Sequence, residues 1–321
     1  MKKLKSVNLL DIIPVITLAV IFLIFVIASD GNTITAYNLK NLVSQVVPVA
    51  IGSLGVIFVV ALGSTDISVG ASAALCSTIA AMLAGRISPW ILIPLALVLS
   101  IAMGMLIGFI VTKFKMDSFM TTLAFLIAIK GLLNYVLTLE LVYAPAELSF
   151  VTSFWFSFLI LIILIVLIYF IFEHTKFGFY CKCIGENERT VRSVGVNVNK
   201  IRLICFALSG CMAGIFGFIQ LCKVGGSTNT LCNMMEMRIQ MAIFLGGVLV
   251  SGGFSAKLYK VLLGSITIIV IENGLTVCQV SSTIAEAVEG ILLIVILCIT
   301  VRFNNVSQKK SAEEAAKLEH A

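Results

Sequence analysis

The sequence predicts an all-α, polytopic membrane fold of about ten transmembrane helices with both termini in the cytoplasm, and three observations carry that prediction. First, 60% of the 321 residues are apolar or aromatic, only 12% are charged, and mean hydropathy is +1.12, well above the near-even apolar share of soluble domains. Second, ten apolar runs approach or exceed the roughly 20 residues that a bilayer crossing requires. Third, the 22 Lys and Arg are unevenly placed. With the N-terminus inside, Lys40, Arg86, Lys223 and Arg238 fall outside, Lys130 falls within a span, and all the others lie in inner segments, as the positive-inside bias demands. Ten crossings consume about 200 residues, which excludes a sizeable soluble domain. Residues 1–306 form a single transmembrane domain on this reading, and 307–321 form a short polar tail without assigned function.

Taken in order, the run 12 to 29 follows Met1-Lys2-Lys3-Leu4-Lys5. It is too long for a signal-peptide core and lacks a clean small-residue cleavage site, so it reads as a retained anchor. The run 43 to 62 is the second span, and 67 to 85, rich in Gly, Ala and Ser, is a candidate for a broken or re-entrant helix. The fourth, 89 to 112, opens at Trp90, an interfacial anchor, and carries Gly104 and Gly108 four residues apart. The fifth, 118 to 139, contains Lys130, and the sixth, 153 to 172, contains the second anchor, Trp155. The seventh, 203 to 222, carries Gly210 and Gly214. Both glycine pairs put small residues on one helical face and so permit close backbone approach in lipid. The eighth, 238 to 256, begins amid Glu236, Arg238 and Gln240 and is the second candidate for a broken helix. The ninth, 258 to 278, holds Glu272 and Asn273, and the tenth, 283 to 301, carries Glu286 and Glu289 on one face near its start.

Soluble catalytic chemistry finds little footing. There are two histidines, His174 and His320, and nine cysteines scattered mostly through apolar runs without a C-x-x-C pair, which suits small packing thiols. Cys222 and Cys232 flank a short outer loop but have no Cys-rich scaffold around them, so they read as free thiols. No G-x-x-x-x-G-K-[ST] stretch occurs, so if transport is powered by ATP, another chain binds the nucleotide. The net charge of +6 bears on orientation rather than on nucleic acid.

The largest inner loop, 173–202, centres on Gly185-Glu186-Asn187-Glu188-Arg189-Thr190-Val191-Arg192-Ser193-Val194-Gly195. This predicts a short helix over 186 to 194, bracketed by glycines, that the membrane itself does not require. Val191 and Val194 beside charges of both signs suit docking into a cleft on a soluble partner. Composition equally allows a solvated connector whose cations only set topology. Asp66 is the only Asp between Gly31 and Met116 and sits at the junction of two apolar runs with Ser68 following. It reads either as a pore-side gate or as an N-cap of the helix 68 to 84.

These residues also carry a resemblance. The stretch Thr175 to Gln220, TKFGFYCKCIGENERTVRSVGVNVNKIRLICFALSGCMAGIFGFIQ, resembles the coupling segment and following helix of ribose-type ABC transporter permeases. In the same order come Gly63-Ser64-Thr65-Asp66-Ile67-Ser68-Val69-Gly70, Phe119-Met120-Thr121-Thr122-Leu123, Leu245-Gly246-Gly247 with Ser251-Gly252-Gly253, and Glu272-Asn273-Gly274-Leu275. The likeness covers nearly the whole chain from about residue 38.

The resemblance implies a non-enzymatic membrane subunit of an importer, with no cofactor bound by this chain and ATP entering through a cytoplasmic ABC ATPase. It also implies cargo delivered by an extracytoplasmic solute-binding protein, a second permease copy or paralogue, and membrane lipid around the spans. The residues assigned to ATPase coupling are Gly185, Glu186, Asn187, Glu188, Arg189, Val191, Arg192, Val194 and Gly195; those assigned to the translocation pathway or its gate are Asp66, Ser68, Phe119, Thr122, Lys130, Gln240, Glu272 and Asn273. Lys130, Arg238, Gln240, Lys257 and Glu272 depart from the small or neutral residues usual in the pattern. Intramembrane charge is costly and points to a partner or a pathway, so Lys130 is read as a structural ion pair with Glu272 or as a substrate contact. The alternative function is an ion-coupled secondary transporter using Asp66, Lys130 and Glu272.

Overall fold

The computed structural model describes residues 9–281 and, beyond them, 283–288, 290, 291, 294, 295, 298 and 302. The helices are α1 (Leu9–Ala28), α2 (Ala36–Ala61), α3 (Val69–Arg86), α4 (Leu92–Phe114), α5 (Ser118–Leu139), α6 (Phe154–His174), α7 (Lys176–Glu186), α8 (Glu188–Ser193), α9 (Val198–Val224), α10 (Met235–Leu245) and α11 (Leu258–Val277). Among the described residues the only β pairing is an isolated bridge between Tyr143 and Gly226, which ties the α5–α6 loop to the α9–α10 loop.

Among the described residues, seven helices are long and apolar enough to cross a membrane: α2, α3, α4 with its preceding turn, α5, α6, α9 and α11. α1 contributes a shorter apolar stretch, Pro14–Ala28. The expected eighth span, 238 to 256, is not a continuous helix. α10 has 11 residues, about 17 Å at 1.5 Å per residue, roughly half of a 30 Å hydrocarbon core. It stops at Gly246, and a left-handed Gly247 and Gly252 turn the chain before α11. Most of the expected tenth span, including Glu289, lies outside the described residues; Glu286 is exposed.

The core is built on α2 and α9. Every residue of α2 from Val46 onward is buried, and α9 packs against α2, α3 and α4. Glycines make these contacts close. A β-carbon added at Gly104 would land on the Phe206 carbonyl oxygen, and one at Gly210 on the Ser100 carbonyl oxygen. One at Gly214 would lie 3.0 Å from the Ala96 oxygen. The two small-residue pairs seen in the sequence therefore face each other across the α4–α9 interface, where backbone meets backbone. Gly217 does the same against the Ala73 backbone of α3, whereas Gly55 of α2 makes room for the Met212 side chain. α5 and α6 instead turn large apolar side chains outward, among them Ile127, Leu132, Ile163, Val166 and Phe170, as lipid-facing helices do. Trp90 and Trp155 are exposed near the ends of their spans, in keeping with interfacial anchoring. The nine cysteines are free, Cys222 and Cys232 included, and the buried Cys181 and Cys205 sulfurs lie 3.4 Å apart.

Candidate functional site

Four of the sequence stretches singled out above converge at one end of the helix bundle. The chain leaving α2 turns at Gly63, with φ +71°, and meets the turn at Gly252, with φ +73°. A β-carbon at Gly252 would collide with the Val60 carbonyl oxygen and one at Gly63 would press on the Ser251 oxygen. Both positions need left-handed backbone and space, which only glycine gives without strain. The Thr65 N–H donates to Ser118 Oγ (3.1 Å) and so joins this turn to the start of α5. Gly185, at the end of α7, packs its α-carbon against the Ala61 oxygen and Gly253. Glu186 Oε1 accepts the Phe254 N–H at 2.9 Å. The end of α7 is thus wedged between α2 and the 252–254 turn.

From this wedge projects the connecting segment. The short helix expected over 186 to 194 is α8; it starts at Glu188 because Asn187 takes extended backbone and caps it, its Oδ1 accepting the Thr190 N–H at 3.1 Å, and a further helix, α7, precedes it in the loop. Thr175 likewise caps α7 through the Gly178 N–H. Glu188 fastens α8 to α9: its Oε1 takes two bonds from Arg192 (2.9 and 2.7 Å), and its Oε2 takes one from Arg202 at 2.8 Å. Partial burial raises the Glu188 pKa, but the bonds from Arg192 and Arg202 outweigh it and hold the carboxyl below its usual range. Val191 and Val194 do not form one docking pair. Val191 is 6% exposed, turned into the protein, whereas Val194 is 73% exposed; a six-residue helix clamped through Glu188 buries the face that Val191 occupies. The free face carries Arg189, Ser193 and Val194, and the left-handed Gly195 ends it.

Deeper in the bundle, α10 gathers the polar residues. Asp66 is buried. Its Oδ1 accepts from the Ser68 N–H (3.1 Å) and Ser68 Oγ (2.6 Å), and its Oδ2 from Ser209 Oγ of α9 at 2.6 Å. α3 begins at Val69 with Ser68 as its cap residue, so Asp66 binds the N–H of the cap itself rather than those of the opening turn. Gln240 Nε2 donates to the Asp66 carbonyl oxygen at 3.1 Å. Lys130 does not pair with Glu272. Its ammonium lies 3.1 Å from Glu236 Oε1 and 3.2 Å from Asn233 Oδ1, while Glu272 pairs with Arg238 at 2.7 Å. Each acid takes the cation that packing brings to it: α10 lies between α3 and α11, presenting Glu236 to α5 and Arg238 to α11. Consequently Asp66, Lys130 and Glu272 sit in three separate arrangements rather than in one ion-coupled set.

The remaining candidates are dispersed. Asn273 exchanges two amide bonds with Asn38 of α2 (2.8 and 3.1 Å). Thr122 is buried with its hydroxyl bonded back to the Ser118 oxygen at 2.9 Å, and Phe119 is exposed beside it. Ser209, Asn38 and the partnership of Glu236 are absent from the sequence reading. One signal was available for Glu236: with Gln240 it stands at i, i+4 on one helical face. Gly70 has its reason here too, since a β-carbon there would overlap Glu236 Oε2. Among the described residues no group of three or more His, Cys, Asp or Glu could hold a metal ion.

Residues 38–297 match the family described as branched-chain amino acid transport system, permease component. The chain belongs to this permease family. The ribose import permease protein RbsC of Escherichia coli strain K12 is 27% identical over 296 residues, covering 86% of this chain and 90% of the relative. The xylose transport system permease protein XylH of Haemophilus influenzae is 25% identical over 370 residues, covering 92% and 96%. The autoinducer 2 import system permease protein LsrC of Photorhabdus luminescens is 28% identical over 292 residues, covering 84% and 86%. No solved structure matches the chain. The permease is a multi-pass membrane protein, and its relatives are transport components rather than enzymes.

Proposed function

We propose that this permease is the membrane subunit of an ATP-binding-cassette importer that translocates a monosaccharide or a related small polar solute. The cargo arrives from an extracytoplasmic binding protein, and hydrolysis occurs on a separate cytoplasmic ATPase. Residues 1–306 act as one domain in the cytoplasmic membrane with both termini inside, and the transporting unit contains a second permease, identical or paralogous. The solute class rests on relatives named for ribose import, xylose transport and autoinducer 2 import.

The observation that carries the mechanism is the wedge at Gly185 and Glu186. α8 is clamped to the start of α9 through Glu188 and Arg202, and it follows directly on the end of α7, which is rooted by Gly185 against Ala61 and by Glu186 on Phe254. An ATPase that binds the two states of the permease differently can bias them only through a contact that differs between those states. A push on α8 would reach the 252–254 turn and the Gly63 turn together, and through Asp66 the side chains of Ser209 and Gln240. The polar residues Asp66, Ser68, Thr122, Lys130, Gln240, Glu272 and Asn273, with Phe119, then belong to the elements that shift between inward-open and outward-open forms. Affinity resides in the binding protein, so weak polar contacts along the path suffice.

The test is co-purification of the tagged permease in mild detergent from its native host, with cargo-stimulated ATP hydrolysis measured on what is recovered. The reading expects a soluble ATPase to co-purify. Alanine at Glu186, Arg189 and Arg192 together should leave membrane insertion intact and lower both ATPase capture and transport by at least about tenfold. Unchanged capture by that variant would sink the coupling assignment. Uptake by the chain alone that follows a proton or sodium gradient would sink the importer reading.

A further inference from the structure

Between α9, which ends at Val224, and α10, which begins at Met235, the chain is not helical. A left-handed Gly225 ends α9, and left-handed Cys232 and Met234 keep α10 from starting sooner. This segment runs down into the bundle rather than across its end. Its start is fixed at the α5–α6 loop by the Tyr143–Gly226 bridge and by the Ser227 N–H on the Val142 oxygen (2.9 Å), and Ser227 Oγ lies 2.6 Å from Thr78 Oγ1 of α3. Its other end lies at Gly70, where a β-carbon would come 3.3 Å from the Cys232 oxygen and 3.0 Å from the Glu236 nitrogen. From Thr78 to Gly70 is about two turns of α3, about 12 Å. Lys130, which meets both Asn233 and Glu236, likewise stands about 14 Å inside the end of α5 at Leu139. The segment therefore reaches roughly the middle of a 30 Å apolar layer.

Non-helical backbone at that depth survives only where protein buries it or water wets it. Protein does not bury this one, since Asn229, Thr230 and Asn233 are exposed. The α5 face alongside is polar too: Lys130, Asn134 and Thr138 follow one another at four-residue spacing, and Asn134 and Thr138 are exposed. An amide turned to lipid would be left without partners. The two strips are joined at the deep end by Lys130 on Asn233 Oδ1 (3.2 Å) and at the shallow end by the Tyr143–Gly226 bridge. We propose that they wall a water-filled groove that binds an uncharged polyhydroxylated solute of the sugar class. Charge along it comes in pairs, Lys130 with the buried Glu236 at 3.1 Å and Arg86 with Glu140 at 2.7 Å, so an ionic ligand finds no countercharge to spare. What remains is amides and hydroxyls. An ammonium only donates, so Asn233 gives Lys130 its oxygen and keeps its amide N–H bonds for a ligand. Groups that both give and take hydrogen bonds match sugar hydroxyls, which do the same, and penalise a solute lacking them. That the groove lies on an import route rests on the function proposed above; its wetness and its choice of uncharged hydroxyls do not.

Cysteine variants of the full-length permease in lipid nanodiscs, where both faces meet water, test the groove with a membrane-impermeant maleimide. Peptide mass spectrometry scores the nine native cysteines apart. The reagent needs a thiolate, which forms in water and not in lipid. Asn134→Cys and Asn229→Cys should label at least about tenfold faster than Leu132→Cys; Leu132 is exposed two residues from Asn134, on the opposite side of α5. Titration with a panel of uncharged pentoses and hexoses should slow Asn229→Cys labelling at least about threefold for one or more members, the protection reached at about twice a dissociation constant, whereas the phosphate esters of the same sugars should not. Should Asn134→Cys fail to fold, Thr230→Cys takes its place. Asparagine variants that label no faster than Leu132→Cys overturn the groove. Absence of protection by every sugar, or equal protection by the phosphates, overturns the ligand. ATPase capture is read on the wild type alone, so the groove can fail with the importer reading intact; protection by sugar in a chain that captures no ATPase sustains the groove and sinks that reading.

Discussion

The α4–α9 contact and the setting of α10 solve the same problem, helix association without a hydrophobic drive, in opposite ways. Between α4 and α9, Gly104, Gly210 and Gly214 remove side chains so that backbones touch, and dispersion between close surfaces does the rest. α10 also meets α11 through Gly246 and Gly264, but toward α5 and the α2–α3 junction it is held by Glu236 on Lys130 and Gln240 on Asp66. A backbone-to-backbone contact has one fitting arrangement and loses everything on sliding by a residue. Polar ties can be exchanged for others as an element moves. The first contact suits a frame and the second suits a part that changes place.

Substitutions that attack each contact in its own terms sharpen this contrast. The largest effect is expected for Gly210→Leu, whose β-carbon would collide with the Ser100 oxygen. Overpacking of a backbone contact should cost about 3 kcal/mol or more, read as loss of the folded fraction in a detergent thermal melt. A melt like that of wild type would show that α4 and α9 separate readily. Glu236→Ala comes next. Lys130 is 36% exposed and Glu236 2%, so part of the stranded charge is screened, and about 2 kcal/mol is expected. Combining it with Lys130→Met should recover most of that loss, and a double variant as unstable as the single one would refute the pairing. The smallest effect concerns Glu188, whose pKa is lowered in the folded protein. The stabilisation is present above the ordinary carboxylate range and is lost as pH falls through the lowered value. The partly exposed pair contributes about 0.5 kcal/mol. Hydrogen exchange across 187–195, corrected for intrinsic rate, should therefore lose protection at pH 4 relative to pH 7, and Glu188→Gln should flatten the difference.

Much of this arrangement was legible in the sequence for physical reasons. Hydropathy marks a span because lipid tolerates no unpaired backbone, and α2 to α6, α9 and α11 appear where apolar runs lie. Glycines four apart marked faces of α4 and α9 for close approach, because helical periodicity puts them on one side, but not that the two faces meet each other. The run 238 to 256 misled because Gly246, Gly247, Gly252 and Gly253 dilute polarity without making helix; hydropathy counts their lack of charge and ignores their left-handed turns. The i, i+4 placement of Glu236 with Gln240 hinted at a polar face on α10, but the partner of Lys130 could not be chosen from it. Glu236 and Glu272 are equally acidic in sequence, and only the docking of α10 between α3 and α11 decides which one the ammonium meets. Val191 escaped for a related reason: six residues of helix give too short a pattern to say which side faces the protein.

Glu236 has one more consequence. It lies in the first turn of α10, and its Oε2 rests against Gly70 in the first turn of α3. A helix presents about half a unit of positive charge at its N-terminus, and here two such beginnings, with the Lys130 ammonium beside them, face one carboxylate. Taking that carboxylate away would leave three positive poles pointing at one another, only the lysine being partly screened by its exposure. A single acid at position 236 thus faces the N-termini of two helices and a lysine at once, and any motion of α10 must carry that countercharge with it.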